Sequence, residues 1–174
     1  MHWETIAYRT FQRLPLTYAP KAPPGGIVDT DFENAKKLVE DTIKKLGLDP
    51  ATTRANSTDT QAAWTLKRGS ASVLVTVTFH EDEDQTYLRV ASPVVTVPAD
   101  KAQHGALFRR LLELNAGGLA NAAFGLVGDR VVAVSERPTE GLGAAEVEQT
   151  VKHLAAVADT FDDRLEKEFG ASKA

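Results

Sequence analysis

The C-terminal part of the chain repeats apolar residues with the period of an α-helix, and this pattern constrains the fold more than any other. The residues fall close to whole turns of about 3.6 residues. They are Val147, Val151, Leu154, Ala155, Ala158, Phe161, Leu165 and Phe169. Acidic side chains dominate the opposite side, and Gly170 supplies a stop. The pattern predicts one long amphipathic helix, whose acidic solvent face is a poor footprint for nucleic acid.

Two earlier segments show the same helical period. The first starts at Thr30, where a capping box with Glu33 is available, and ends at Gly47. The second starts at Asp100, which can act as a cap together with Gln103. Helices are predicted over about 31–46 and 100–115. The apolar side of the second consists of Ala102, Ala106, Leu107, Leu111 and Leu114.

Between the helices, apolar and polar residues alternate with period two and predict five strands. The first three strands cover about 62–67, 71–79 and 85–91. Two more form a hairpin over about 121–136, which turns at Gly128. Pro93 and Pro98 bracket a further extended piece, which is predicted to be an edge or a crossing segment.

The order α-β-β-β-α-β-β-α, with tight turns inside each group of strands, predicts an antiparallel sheet. The expected fold class is α+β, with a five-stranded sheet and three helices packed on it. In strand 71–79 one face is wholly apolar and consists of Val73, Val75, Val77 and Phe79. The opposite face carries Ser72, Leu74, Thr76 and Thr78. One side of the sheet is therefore expected under the helices, and the other is half-apolar.

The first thirty residues differ from the rest because they are rich in aromatic residues and proline. Trp3, Ile6, Tyr8, Phe11 and Leu14 make this start unusually apolar for a tail. We expect it to dock on a surface, with a poorly ordered extension as the alternative. The predicted organisation is an extension over 1–30, a domain over 31–170 and a tail over 171–174.

Composition excludes several classes of site. The 174 residues carry 24 Asp and Glu against 20 Lys and Arg, a net charge of −4 and no cysteine. Disulfides and thiolate sites are therefore absent. The apolar runs fall far short of the roughly 20 residues that span a bilayer, and no signal peptide is recognisable. We predict a cytoplasmic protein with no membrane or nucleic-acid partner.

The polar residues show no pattern typical of catalysis, metal or cofactor binding. The four histidines are far apart in the sequence, and His80 is followed by an acidic run that lacks the spacing of a calcium loop. The glycine pairs near residues 117 and 125 lack the lysine of a phosphate-binding loop. Ser92 and Ser135 lack a nucleophile elbow. We therefore predict no catalytic residue, metal or cofactor.

Three short phrases resemble sequences of the bacterial YbjN-like family. They are Leu111-Leu112-Glu113-Leu114-Asn115, Ala123-Phe124-Gly125-Leu126 and Ser135-Glu136-Arg137-Pro138-Thr139. The resemblance covers about 31–170 and includes the element order, which is similar to that of type III secretion chaperones of the CesT kind. It implies a non-enzymatic protein, since YbjN-like proteins have been described as sensory transduction regulators and the chaperones bind extended client segments as homodimers.

Six residues are predicted to contact a peptide or partner: Leu74, Thr76, Tyr87, Arg89, Trp64 and Arg137. Tyr87 and Arg89 alternate with apolar neighbours, so they should face away from the helices, where an extended peptide could lie. Trp64 belongs to the core instead if it shares the face of Leu66. Arg137 has two open roles, which are pairing with a carboxylate of the long helix and receiving a client carboxylate.

The sequence thus predicts a homodimeric module that binds a protein or peptide client along the half-apolar face or a strand edge. Strands 71–79 and 85–91 and the first helix would carry the binding. The resemblance places the dimer contact on the second helix and the 121–136 hairpin. The alternatives are an accessory subunit of one folded partner and, less favoured, a small hydrolase.

Overall fold

A computed structural model of the protein describes residues 2–5 and 30–174. Its helices are α1 (Thr30–Lys45), α2 (Pro50–Thr53), α3 (His104–Gly117) and α4 (Ala144–Phe169). Its strands are β1 (Trp3–Thr5), β2 (Gln61–Arg68), β3 (Ala71–His80), β4 (Gln85–Thr96), β5 (Ala123–Val127), β6 (Arg130–Pro138) and β7 (Ser172–Lys173). Among the helices of residues 30–174, we find no candidate for a membrane span.

The strands form one antiparallel sheet in the order β1-β2-β3-β4-β6-β5, and β7 pairs with β4 at Val95 and Thr96, beyond the stretch of β4 that pairs with β3. The helices α1 and α4 lie side by side on one face, where α4 crosses β3, β4 and β6. The apolar side of α4 is buried there, including Val147, Leu154 and Leu165. The predicted α+β class is thereby confirmed, because the period-two and period-3.6 patterns meet in one core.

The predicted count of five strands and three helices is wrong, since the described residues contain seven strands and four helices. The added strands, β1 and β7, have three and two residues, too few for an alternating pattern to be read. The added helix α2 lies in what the sequence suggested was a polar loop. Asp49 caps it through Oδ1, which accepts from the Ala51 N–H, and Pro50 occupies its first turn.

The strand β4 runs unbroken over Gln85–Thr96, so the predicted edge or crossing segment after Pro93 is wrong. The pairing of β3 with β4 ends at Ala91. Pro93 lies beyond that point, so its missing N–H costs no bond to β3. A register shift against β6 between Pro93 and Val95 accommodates the proline, and β7 then pairs from Val95 onward.

The predicted helix bounds hold to within two residues at most ends. Gly47 and Gly170 adopt the left-handed conformation expected of helix stops, with φ of 84° and 63°. Asp100 caps a 3₁₀ turn over Lys101–Gln103 that leads into α3. Of the predicted apolar side of α3, Leu107 and Leu111 are buried. That helix therefore docks shallowly, against β5 at the end of the sheet.

The described part of the N-terminal segment is docked. β1 pairs with the outer edge of β2, and Trp3 is buried in the main core. Ile6, Tyr8, Phe11 and Leu14, which were predicted to dock with it, lie outside the described residues. The division of the chain at residue 30 likewise stays a prediction.

Candidate functional site

The face of the sheet opposite α1 and α4 is named the reverse face here. Its residues alternate with core residues along each strand. They include Ala63 and Thr65 of β2, Ser72, Leu74, Thr76 and Thr78 of β3, Tyr87, Arg89 and Ala91 of β4, and Val132, Val134 and Glu136 of β6. Four of the six predicted contact residues, Leu74, Thr76, Tyr87 and Arg89, therefore share one surface.

The centre of the reverse face is apolar and closely packed. Ala63, Leu74 and Val132 form a small buried cluster that is separate from the main core. Partly buried Ala55, Val127 and Val134 pack against this cluster. Leu74 is only 3% exposed, so it forms the floor of the face. The apolar surface still open to a ligand belongs to the partly buried residues around it.

Polar groups border this floor in a fixed arrangement. Arg89 lies opposite Glu136 in the β4–β6 register, and Arg89 Nη1 is 2.8 Å from Glu136 Oε2. Thr76 is buried, and its hydroxyl lies 3.4 Å from the Arg89 carbonyl oxygen. The ion pair is partly exposed on both sides, so a bound chain would meet one cation and one anion beside an apolar centre.

Tyr87 forms the other polar border. Its hydroxyl donates to Glu83 Oε2 at 2.7 Å, and its ring lies 4.9 Å from the ring of His80. The hydrogen bond to the Glu83 carboxylate raises the pKa of the Tyr87 phenol, with contributions from desolvation and from the charges of Glu83 and Glu136. Tyr87 therefore presents a neutral ring, held by the loop that follows β3.

Trp64 is not on the reverse face. It is fully buried on the helix side together with Leu66, which is the arrangement expected of a core residue. The Arg54 guanidinium lies 4.9 Å from the centre of its ring, and Arg54 Nη1 is 2.7 Å from Glu40 Oε1 of α1. Because Trp64 has no exposed surface, it drops out of the set of residues proposed to contact a peptide.

Arg137 also points to the helix side, at the corner between β6 and α4. Its Nη1 is 3.1 Å from Glu146 Oε1, which is the predicted ion pair with the long helix. Glu146 Oε2 in turn accepts from the Gly143 N–H at 2.9 Å. That backbone hydrogen bond, followed by Arg137, lowers the pKa of Glu146. Of the two roles suggested for Arg137, the structure therefore shows the pairing with a carboxylate of the long helix.

A cleft of about 520 Å³ with a mixed polar and apolar lining lies next to this corner. Its lining comes from the start of β5, the second half of β6 and α4: Asn121, Ala122, Ala123, Val134, Ser135, Glu136, Arg137 and Thr150. His153 lines an adjoining hollow, and its Nε2 is 2.8 Å from the Ala120 carbonyl oxygen. Within residues 2–5 and 30–174, no three potential metal ligands of the His, Asp and Glu type come together.

Sequence reasoning missed the residues that complete the reverse face, namely Val132, Val134 and Glu136 of β6. The run 131–134 is apolar at every position, so alternation alone does not show which residues turn to the core. Glu136 is 47 positions from Arg89, and their pairing depends on the register of β4 against β6. No local signal in the sequence specifies that register.

Comparisons with known proteins agree with this architecture. The family model described as "T3SS (YopN, CesT) and YbjN peptide-binding chaperone 1" matches residues 33–174. The structure of the HopA1–SchA chaperone–effector complex matches with a TM-score of 0.54 at 14% identity, and the match covers 79% of this chain and 99% of that chain. The ExsC–ExsE complex matches with a TM-score of 0.47 at 12% identity, over 79% and 95% of the two chains. No curated protein matches significantly. The fold likeness rests on the first of the two structures.

Proposed function

The chain belongs to the family of T3SS and YbjN peptide-binding chaperones, and from this premise we propose that it binds extended segments of other polypeptides without any chemical step. The observation that supports the reverse face as the binding surface is that α1 and α4 cover the other face of the sheet. On the reverse face, an apolar centre lies beside the Arg89–Glu136 ion pair and the ring of Tyr87.

The proposed mechanism is physical. An extended segment lying across β3, β4, β6 and β5 covers the exposed parts of Tyr87, Val134 and Val127, and its own apolar side chains leave water. The Arg89–Glu136 pair supplies a donor and an acceptor to the polar groups of the segment. Leu74 and Thr76, which are almost fully buried, shape the floor. Such a surface favours apolar segments with few sequence-specific contacts.

We further propose that two copies associate through α3 and β5. Among the described residues, Leu112 of α3 and Leu126 of β5 are the large apolar side chains that stay exposed, at 68% and 47%. The two elements are tied together because Asn115 Oδ1 accepts from the Phe124 N–H at 2.7 Å and Asn115 Nδ2 donates to the Phe124 carbonyl at 3.0 Å. A twofold contact would bury both leucines on each copy. The proposed location is the cytoplasm.

An array of short unstructured peptides, probed with the full-length protein, tests the proposal. The informative variant is Val134→Glu, which adds a charge to a partly buried position of the reverse face. The matched control is Ala156→Glu, which adds the same charge to an exposed position of α4. We expect wild type and Ala156→Glu to bind the same apolar peptides, and Val134→Glu to lose them while keeping its circular dichroism spectrum. Equal binding by all three proteins contradicts the reverse face, and no binding by any contradicts peptide binding.

A further inference from the structure

The outer edge of β2 is covered along much of its length by two different segments of the chain. At one end, the Ala55 N–H donates to the Ala63 carbonyl at 2.8 Å, and the Thr58 N–H donates to the Gln61 carbonyl at 2.8 Å. The odd-numbered residues of β2 therefore turn their backbone groups outward. At the other end the cover is β1, in which Glu4 lies opposite Lys67.

The cover by β1 depends on one side chain and a short stretch of backbone. Trp3 is 6% exposed and joins the main core, whereas Glu4 and Thr5 are exposed. The Arg68 guanidinium lies 5.7 Å from the centre of the Trp3 ring, and Arg68 Nη1 donates to the Lys152 carbonyl of α4 at 3.0 Å. The indole of Trp3 thus lies beside Arg68 at the edge of β2, and a hydrogen bond to α4 holds the Arg68 side chain.

The two covers differ in their relation to the domain. The segment with Ala55 and Thr58 lies inside the stretch matched by the family model, residues 33–174. β1 lies outside it and is joined to α1 through residues 6–29. The domain therefore carries a strand edge and an aromatic site that an additional segment of the same chain fills.

We propose that this edge is a second peptide-binding site, and that Trp3–Thr5 is its tethered occupant, which keeps the edge closed to other segments. The ligand that fits is an extended stretch whose backbone pairs with Lys67 and whose large aromatic side chain enters beside Arg68. A strand of three residues with one buried side chain opens at low free energy, so exchange with a competing segment is accessible. Covalent attachment gives the occupant a high local concentration. The inference concerns the sheet edge and does not depend on the reverse face.

Titration of a labelled peptide tests the proposal. The probe is a fluorescein-labelled peptide with the sequence of residues 1–9, added to the full-length protein. Trp3→Ala in the protein empties the site, so we expect the probe to bind this variant at least about tenfold more tightly than it binds wild type. A probe in which the tryptophan is replaced by alanine should not bind either protein. Equal binding of the intact probe to wild type and Trp3→Ala overturns the proposal.

A pair of proline variants controls for loss of stability in Trp3→Ala. Glu4 lies opposite Lys67, whose backbone turns outward, whereas Thr5 lies opposite Leu66, whose backbone turns to β3. Glu4→Pro therefore removes an N–H that pairs with the edge, and Thr5→Pro does not. We expect Glu4→Pro to bind the probe like Trp3→Ala, and Thr5→Pro to behave like wild type. Identical behaviour of both proline variants contradicts the proposed register.

Two further outcomes separate this site from the surfaces proposed above. Val134→Glu should leave binding of the probe unchanged, because the reverse face is not involved. Sedimentation of wild type and Trp3→Ala should give the same assembly state. A dimer that Trp3→Ala abolishes would overturn the intramolecular occupant, because it would mean that two copies exchange their N-terminal strands.

Discussion

Arg89 and Glu136 lie directly opposite each other on β4 and β6, and their charged atoms are 2.8 Å apart across the reverse face. Both side chains are more than a third exposed, so solvent screens their attraction. The pair therefore has a small part in stability. In the proposed binding surface, the pair fixes one donor and one acceptor beside an apolar floor.

Removing this pair should change binding more than folding. We expect Arg89→Ala to lower the free energy of unfolding by less than about 1 kcal/mol, and to weaken capture of the apolar peptides found on the array. The double variant Arg89→Glu with Glu136→Arg should be about as stable as wild type, since opposite charges still face each other at these two positions. Chemical denaturation and peptide titration check the two effects. A large stability loss with unchanged peptide binding would assign the pair to the fold.

Trp64 should be among the most costly positions to truncate. The side chain is fully buried, so Trp64→Ala leaves a cavity. The substitution also removes the contact between the Arg54 guanidinium and the indole ring. The expected loss is about 3–5 kcal/mol in the free energy of unfolding. Trp64→Phe should cost much less, because the indole Nε1 has no hydrogen-bond acceptor among the described residues. Urea denaturation of the three proteins measures this, and equal losses for Ala and Phe would contradict the packing.

The proposed dimer contact predicts an effect on assembly without an effect on the fold. Leu112 is 68% exposed, so Leu112→Glu should leave the melting temperature of the isolated subunit nearly unchanged. In sedimentation velocity, we expect wild type to sediment as a dimer and Leu112→Glu as a monomer, because a charge replaces apolar area in the contact. Ala156→Glu is the matched control and should stay dimeric. A dimer that survives Leu112→Glu would place the contact elsewhere.

Glu146 predicts a specific dependence of stability on pH. Its pKa is lowered by the Gly143 N–H and by Arg137, so the folded protein favours the charged carboxylate. The stability this provides is present above the ordinary pKa of a glutamate and is lost as pH falls through the lowered value. Glu146→Ala should therefore melt below wild type at neutral pH, and the gap should close in acid. A gap that is constant with pH would show that the charge is not its cause.

The order of the main elements follows from local patterns, and the exceptions have physical causes. The helical period of apolar residues along α4 and the alternation of apolar and polar residues in β3 each reflect burial of one side of a single element. β4 continues past Pro93 because its pairing with β3 stops at Ala91 while β6, and then β7, go on pairing with it, which is a property of the sheet and not of the segment. The strands β1 and β7 form because each pairs with a strand that is distant in the sequence, β2 and β4 respectively.

The same distinction applies to the candidate site. Alternation with Leu88 and Val90 is sufficient to predict that Tyr87 and Arg89 lie on the reverse face. The position of Arg137 on the helix side and that of Glu136 on the reverse face depend on the register of β6 against β4. A shift by one residue would exchange the two, and no local feature of β6 decides between them.

Photo-cross-linking of a bound peptide tests the central claim most directly. A photoreactive phenylalanine analogue replaces Tyr87 in one protein and Ala156 in another, and each is irradiated with a peptide selected on the array. We predict that the peptide attaches to the protein labelled at position 87 on the reverse face, and not to the protein labelled on α4. Attachment only at position 156, or equal attachment at both positions, would contradict the claim that the reverse face holds the client.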